Sequence, residues 1–250
     1  MNFLKGCDIV TDNAAIQFEH VDYQADGLAI LQNINDYFPK GKITALVGPS
    51  GAGKTTVFKL CNGLKSPTTG NILFNQQPVN TYEPVELRRR IGLALQDATM
   101  IQGTVRDNLA LPLELQAKQL SNETAEQYMN LVGLKAEFLT RDVRDLSGGQ
   151  RQKLSIARTL INQPEVLLLD EITSSLDRIS RQDIERLILK INKELETTII
   201  WITHNIEQAQ AMGEHTWVMM DGRVVESGEI GLLDNPKNKE VERFIKGEVE

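Results

Sequence analysis

Aromatic side chains are scarce in this chain, at 5% of 250 residues. That argues against a platform on which successive bases of a single-stranded nucleic acid could stack. Positive charge is also short: 27 Lys and Arg stand against 34 Asp and Glu, a formal net charge of -7. A chain of that sign is not built to neutralise a phosphate backbone, so no nucleic acid is expected among its partners. Nor is there a polybasic stretch to hold an anionic membrane surface. Cysteine is limited to Cys7 and Cys61, far apart and in no metal-ligand spacing. Two reduced thiols are expected, with no disulfide and no structural zinc. Long hydrophobic runs are missing as well. Val166 to Leu169 and Ile199 to Ile202 are far too short to cross a bilayer. Met1 to Asp12 has no charged segment leading into an apolar one, so no secretory signal is expected.

What is present can build a core, with 41% apolar and 24% charged residues. Residues 1–12 are expected to be a loose extension. Ala15 to Phe18 and Leu28 to Phe38, broken at Asp26-Gly27 and Pro39-Lys40-Gly41, predict antiparallel strands and turns. Ile43 to Val47 predicts a strand, Thr55 to Leu64 a helix, and Gly70 to Phe74 with Gln77 to Val79 a short hairpin. From about Ala98 to Asp145 the apolar residues recur mostly at helical spacing, which predicts a helical insertion. Gly149 to Leu160 and Arg181 to Leu195 have helical period, and Val166 to Leu169 and Thr198 to Ile202 predict buried parallel strands. Strands alternating with helices predict an α/β core.

Three motifs carry chemistry. Gly48-Pro49-Ser50-Gly51-Ala52-Gly53-Lys54-Thr55, with Thr56 after it, matches G-x-x-x-x-G-K-[ST] between a predicted strand and a predicted helix. Its glycines let backbone N–H groups curl around phosphate oxygens at a helix start. Lys54 is then expected to reach the β- and γ-phosphates, and the Thr55 hydroxyl to hold Mg²⁺. Asp170 and Glu171 close a buried apolar strand, a costly place for two carboxylates unless charge or water meets them. Between these motifs stands Leu146-Ser147-Gly148-Gly149-Gln150, followed by Arg151. Small residues there can close over a γ-phosphate, although Ser147 would also serve as a plain helix cap.

With that pentapeptide between the other two motifs, the chain resembles the ATP-binding cassette (ABC) ATPases, from about Ile16 to about Phe244. The resemblance implies a P-loop NTPase (RecA-like) α/β core with a parallel sheet, an antiparallel β subdomain and a helical subdomain at about 98–155, all within 13–250. It implies that Asp170 supports Mg²⁺, that Glu171 polarises the attacking water, and that residues 146–150 contact ATP held by a second copy. Gln96 resembles the glutamine that touches Mg²⁺ and water. His204 resembles the histidine that contacts the γ-phosphate, and Ser175-Leu176-Asp177 the loop that runs along a dimer interface. Tyr23 matches the aromatic that stacks on adenine. Taken singly, a glutamine is usually solvated, a histidine usually a satisfied strand end, and a strand tyrosine usually packing. His20 and His215 are left at that ordinary reading.

The chain also departs from the family pattern. Ile172 and Val143 stand where proline is usual, Ala98 replaces the common proline after Asp97, and Met100-Ile101 replaces the usual Leu-Phe pair. None of these removes a catalytic group. The expectation is an ATPase, with ATP and Mg²⁺ as cofactors, that powers an ABC transporter as a head-to-tail homodimer. Its membrane-spanning permease would be a separate chain, and a substrate-binding protein would join it if the direction is import. Such a subunit would be cytoplasmic and peripheral on the inner face of the cell membrane. Phosphate-type import and metal export both stay open, because Asp170-Glu171-Ile172-Thr173-Ser174 also resembles two-component systems implicated in metal efflux. The rival expectation is a soluble ABC ATPase of iron–sulfur cluster assembly.

Overall fold

A computed structural model describes residues 13–248; the expected extension at 1–12, with Cys7, lies outside the described residues. In chain order the strands are β1 (Ala14–Ala25), β2 (Leu28–Pro39), β3 (Ile43–Val47), β4 (Thr69–Phe74), β5 (Gln77–Pro78), β6 (Ile91–Ala94), β7 (Val166–Asp170), β8 (Thr198–Ile202), β9 (His215–Met220) and β10 (Arg223–Glu229). The helices are α1 (Lys54–Cys61), α2 (Pro84–Arg90), α3 (Val105–Glu114), α4 (Asn122–Leu131), α5 (Gly148–Leu160), α6 (Arg178–Leu195), α7 (Ile206–Met212) and α8 (Lys239–Ile245).

Two sheets form the frame. One is antiparallel, in the order β2-β1-β4-β5; the other runs β10-β9-β3-β8-β7-β6. In the second sheet the central pairs are parallel, while β10 runs antiparallel to β9 along the edge. The sheet is therefore mixed rather than wholly parallel. Strands β3, β7 and β8 are buried at every residue, which is why they appear in the sequence as continuous apolar runs. The β1–β2 hairpin is longer than the short apolar patches suggest. Its turn at Asp26-Gly27 takes positive φ at both residues, the geometry that matches strand twist.

The core has separate compartments. One packs α3, α4, α5 and α6 against one face of the second sheet, with Trp201, Leu154 and Ile184 among its members. Another fills the space around α1 between the two sheets. There Trp217 stacks on Phe38 at 4.0 Å, and Phe18 meets both rings edge-on. The few aromatics of the chain are thus concentrated where the two sheets meet.

The helical insertion is shorter in regular structure than its length suggests: α3 and α4 are each 10 residues, joined to α5 through 3-10 turns. Thr104 starts α3 with a reciprocal capping box to Asp107. Buried Asn108 then holds the preceding loop, accepting from Ile101 N at 2.9 Å and donating to the Ile101 and Thr104 carbonyls at 3.0 Å. The departures Ile172 and Val143 are both buried in this compartment. Both are core residues. Among the described residues no helix is long and apolar enough to cross a membrane.

Candidate nucleotide site

The phosphate loop lies between β3 and α1, at the C-terminal end of a central parallel strand. Gly48 has φ 147°, and a Cβ there would sit 2.0 Å from the Met219 carbonyl oxygen. Only glycine lets the loop leave β3 this close to β9. Gly53 caps α1 at φ 97°, with no side chain closing the helix end and no acidic residue in its first turn. The positive end of α1 is thus left free for an anion.

Lys54 is buried to 5% exposure, and its Nζ donates to the Gly48 and Pro49 carbonyls at 2.8 Å each. Burial lowers its pKa, an effect opposed by the charges of Glu171 and Asp170. Asp170 is displaced the other way: burial raises its pKa, the neighbouring Glu171 carboxylate raises it further, and the Thr55 hydroxyl bonded to it works against both. Lys54, Thr55, Asp170 and Glu171 are therefore one electrostatic unit.

Glu171 sits in the left-handed region at φ 49°. A non-glycine residue there is strained and is held by its surroundings. Its N–H donates to Ile202 O at 3.1 Å, and its carbonyl accepts from Ser174 N at 3.0 Å and Ser174 Oγ at 2.9 Å. The turn carries the Glu171 carboxylate to His204, whose Nε2 lies 2.5 Å from Oε1. Glu171 and His204 line one cavity of about 580 Å³ together with Thr173, Thr203 and Gln208.

The other predicted residues lie apart from this cluster. Ser147 and Gly148 are exposed at the start of α5, while Leu146 is buried beneath them. Ser147 caps the helix reciprocally with Gln150, at 3.3 and 3.0 Å. Ser147, Gly149 and Gln150 line a separate cavity of about 300 Å³ with Ser180 and Asp183. A Cβ on Gly149 would come within 2.9 Å of Ser180 Oγ, so small size at this position lets α5 approach α6. Asp177 caps α6, accepting from Ile179 N and Ser180 N at 2.9 and 3.0 Å and from Ser180 Oγ at 2.6 Å. Ser175 is exposed, and Leu176 packs partly buried below Gly148.

Gln96 is exposed and shares none of the bonds of the Lys54–Asp170–Glu171 cluster. The preceding carbonyl, Leu95 O, accepts at 3.2 Å from Gln152 Nε2 on α5. Tyr23 is half-buried on β1, its hydroxyl 2.5 Å from Lys65 Nζ. His20 and His215 stay outside the site. His20 pairs with Asn33 at 3.0 Å, and His215 on β9 is pushed down to about 4, mainly by burial.

Three contributors escaped the motif search: Gln152, Gln208 and Lys65. Each is a polar residue whose partner is distant in sequence, so no local spacing announces it. Hard oxygen donors, the Thr55 hydroxyl and Asp170 carboxylate bonded to each other, suit Mg²⁺, which keeps waters and phosphate oxygens as further ligands. No cluster of three or more His, Cys, Asp or Glu able to hold a metal occurs among the described residues.

Residues 31–174 match the ABC transporter family. The chain belongs to the ABC transporter ATPases. Its relatives include YjkB of Bacillus subtilis (strain 168), an ABC transporter ATP-binding protein by name, 42% identical over 93% of this chain and 94% of the relative. Among solved structures, cbiO1 from Clostridium perfringens, described as part of the ABC transporter complex cbiONQ, has a TM-score of 0.82 at 29% identity. It covers 90% of this chain and 92% of its own. The cassette MJ0796, solved as a dimer in a post-hydrolysis state bound to ADP and Pi, has a TM-score of 0.75 at 28% identity, over 86% of this chain and 98% of its own. This ABC cassette binds ATP and is an ATPase. These relatives are named for transport and not for iron–sulfur cluster assembly, so the rival expectation is not carried further.

Proposed function

We propose that this cassette powers a transporter whose membrane-spanning permease is a separate chain, and that it works as a head-to-tail homodimer. The observation that carries the reaction chemistry is the 2.5 Å contact between Glu171 and His204, with Glu171 and Asp170, at the end of β7, within electrostatic reach of Lys54 on the phosphate loop. In this reading the loop N–H groups and Lys54 hold the β- and γ-phosphates, and Lys54 leaves the Gly48 and Pro49 carbonyls to do so. Thr55, Asp170 and Gln96 hold Mg²⁺, which when bound neutralises charge on the phosphate oxygens. Glu171 orients the attacking water and accepts its proton, while His204 holds Glu171 and the γ-phosphate in register.

Tyr23 stacks on adenine. Ser147 and Gly148 are exposed, Gly149 is half-buried, and Ser147 and Gly149 line a different cavity from Glu171 and His204, which favours their use against nucleotide held by a second copy. Ser175, Leu176 and Asp177 then lie along that interface. Closing over ATP, and reopening after hydrolysis, supplies the differential free energy that moves a permease between two states.

For the permease contact we take the cavity of about 500 Å³ bounded by α2, α3 and α5. Arg88, Arg89 and Arg158 stand there beside the exposed apolar residues Val85 and Leu115. A short cytoplasmic helix with an apolar face and a carboxylate would meet both features. Arg158 also donates to Thr99 O at 2.7 Å, which links this groove to the segment after Gln96. Such docking would hold the cassette on the inner face of the membrane, leaving cargo selection to the permease.

The experiment is size-exclusion chromatography of Glu171→Gln with and without ATP and Mg²⁺, together with phosphate release. An ATP-dependent dimer with turnover reduced about a hundredfold or more is expected, in line with loss of a general base. Wild-type turnover by Glu171→Gln would sink the assignment. An ATP-saturated monomer would sink the dimer.

A further inference from the structure

The buried amide of Gln208 joins three segments of the site that motif recognition treats as separate. It lies on α7, four residues after His204, and is 8% exposed. Its Oε1 accepts from Thr203 Oγ1 at 2.9 Å, and its Nε2 donates to Glu185 Oε1 at 2.6 Å and to Thr173 Oγ1 at 3.4 Å. Thr203 immediately precedes His204. Thr173 lies two residues after Glu171. Glu185 belongs to α6, the helix capped by Asp177.

The orientation of this amide is set by its partners. A carboxylate accepts only, so Glu185 must face the NH₂ end. The carbonyl end is then left for Thr203, whose hydroxyl donates to it. The Thr203 oxygen in turn accepts from Asn205 N at 3.1 Å, and Asn205 Oδ1 accepts from Gln208 N at 2.9 Å. His204 is thereby flanked on both sides by residues bound to Gln208. Thr173 lies within the turn that keeps Glu171 at positive φ.

We infer that Gln208 is a positioning residue for ATP hydrolysis: it holds the His204 loop and the turn after Glu171 in one register, so that the 2.5 Å Glu171–His204 contact is made. Gln208 touches neither nucleotide nor the reacting atoms. It acts through Thr203 and Thr173, and through Glu185 it couples that contact to the position of α6. The inference rests on the proposed roles of Glu171 and His204. ATP binding at the phosphate loop, which shares no bond with Gln208, is not its task.

The test compares steady-state hydrolysis by the wild-type full chain with Gln208→Leu, Gln208→Glu and the double variant Gln208→Glu/Glu185→Gln, each checked for folding by thermal melting. Gln208→Leu removes every side-chain bond of the amide. Gln208→Glu sets two carboxylates against each other. The double variant restores a carboxylate–amide pair with the ends exchanged, and the hydroxyls of Thr203 and Thr173 can both donate to the new carboxylate. Expected is a kcat lowered about 10–100-fold in both single variants with KM for ATP unchanged, the usual cost of losing a partner that orients a reacting group. The double variant should return most of that kcat.

Wild-type kcat in Gln208→Leu overturns the inference. So does a folded double variant no faster than Gln208→Glu, which would reduce Gln208 to a packing residue. Glu171→Gln run in parallel separates the two levels. If it turns over normally, the site assignment itself fails; if it is inactive while Gln208→Leu is unimpaired, only the positioning role fails.

Discussion

At Gly48 the backbone passes so close to β9 that any Cβ would overlap the Met219 carbonyl, at 2.0 Å. Backbone strain of this kind costs about 1–3 kcal/mol before the overlap is counted. Gly48→Ala is therefore expected to lose stability by more than that, measurable as a lower urea midpoint, and to lose nucleotide affinity with it. Lys54→Ala removes the cation of the phosphate site and should abolish ATP binding measured by calorimetry, leaving a folded protein. His215 supplies a pH dependence with a definite sign. Burial holds its pKa near 4 in the folded chain, below the ordinary value of 6.5. The unfolded chain then binds more protons between those values, so the stability His215 contributes is full above about pH 6.5 and is lost as pH falls toward 4. His215→Leu should make the decline in unfolding free energy between pH 6.5 and 4 shallower. An unchanged slope would place the acid sensitivity elsewhere.

The elements around the site are positioned by polar residues used as internal fasteners. Asn108 in α3 is the clearest, with its amide serving both the Ile101 N–H and the Ile101 and Thr104 carbonyls. Asn108→Ala takes these side-chain partners from the Ile101 N–H and carbonyl, while the Thr104 carbonyl keeps the Asn108 N–H at 3.2 Å, and should cost about 1–3 kcal/mol. Hydrogen exchange should show the loss concentrated in the segment before α3. The signature start depends on two close helix ends: Gly149 against Ser180, and Lys153 bonded to Asp183 at 3.5 Å. Helices α5 and α6 appear in the sequence through their period, with α6 beginning three residues earlier than its pattern suggests because Asp177 caps it. By contrast α2, α7 and α8 have no counterpart in the hydrophobic pattern, whereas β9 contains an apolar run, Trp217 to Met220, buried throughout. Those three helices are 7 residues each, too short for a 3.6-residue period to establish itself.

On the scale of the molecule, Glu171 with His204 and Ser147 with Gly149 line different cavities, the separation that the proposed use of the signature end against a second copy requires. The arginine-lined groove between α2, α3 and α5 is a third surface, on the helical side. Reversing its charge with Arg88→Glu and Arg89→Glu should reduce recovery of the membrane partner in affinity purification by at least about tenfold, since like charges across an interface cost several kcal/mol. Full recovery would move the docking site elsewhere.

The sequence by itself determined the family and the motifs on which the proposed nucleotide chemistry rests. Gly48 to Thr55, Asp170-Glu171 and Leu146 to Gln150 are local patterns, to which the proposed function gives phosphate, Mg²⁺ and water as partners, and β3, β7 and β8 are legible because burial on both faces leaves continuous apolar runs. What the tertiary structure decided is how these parts meet. Only folding brings His204 to Glu171, bonds Thr55 to Asp170 and raises the Asp170 pKa through burial. Folding likewise turns Gln208 and Gln152 from ordinary polar residues into links between segments. A hydrogen bond between residues thirty or sixty positions apart leaves no trace in local spacing, because its energy depends on a distance that exists only after the sheet has assembled.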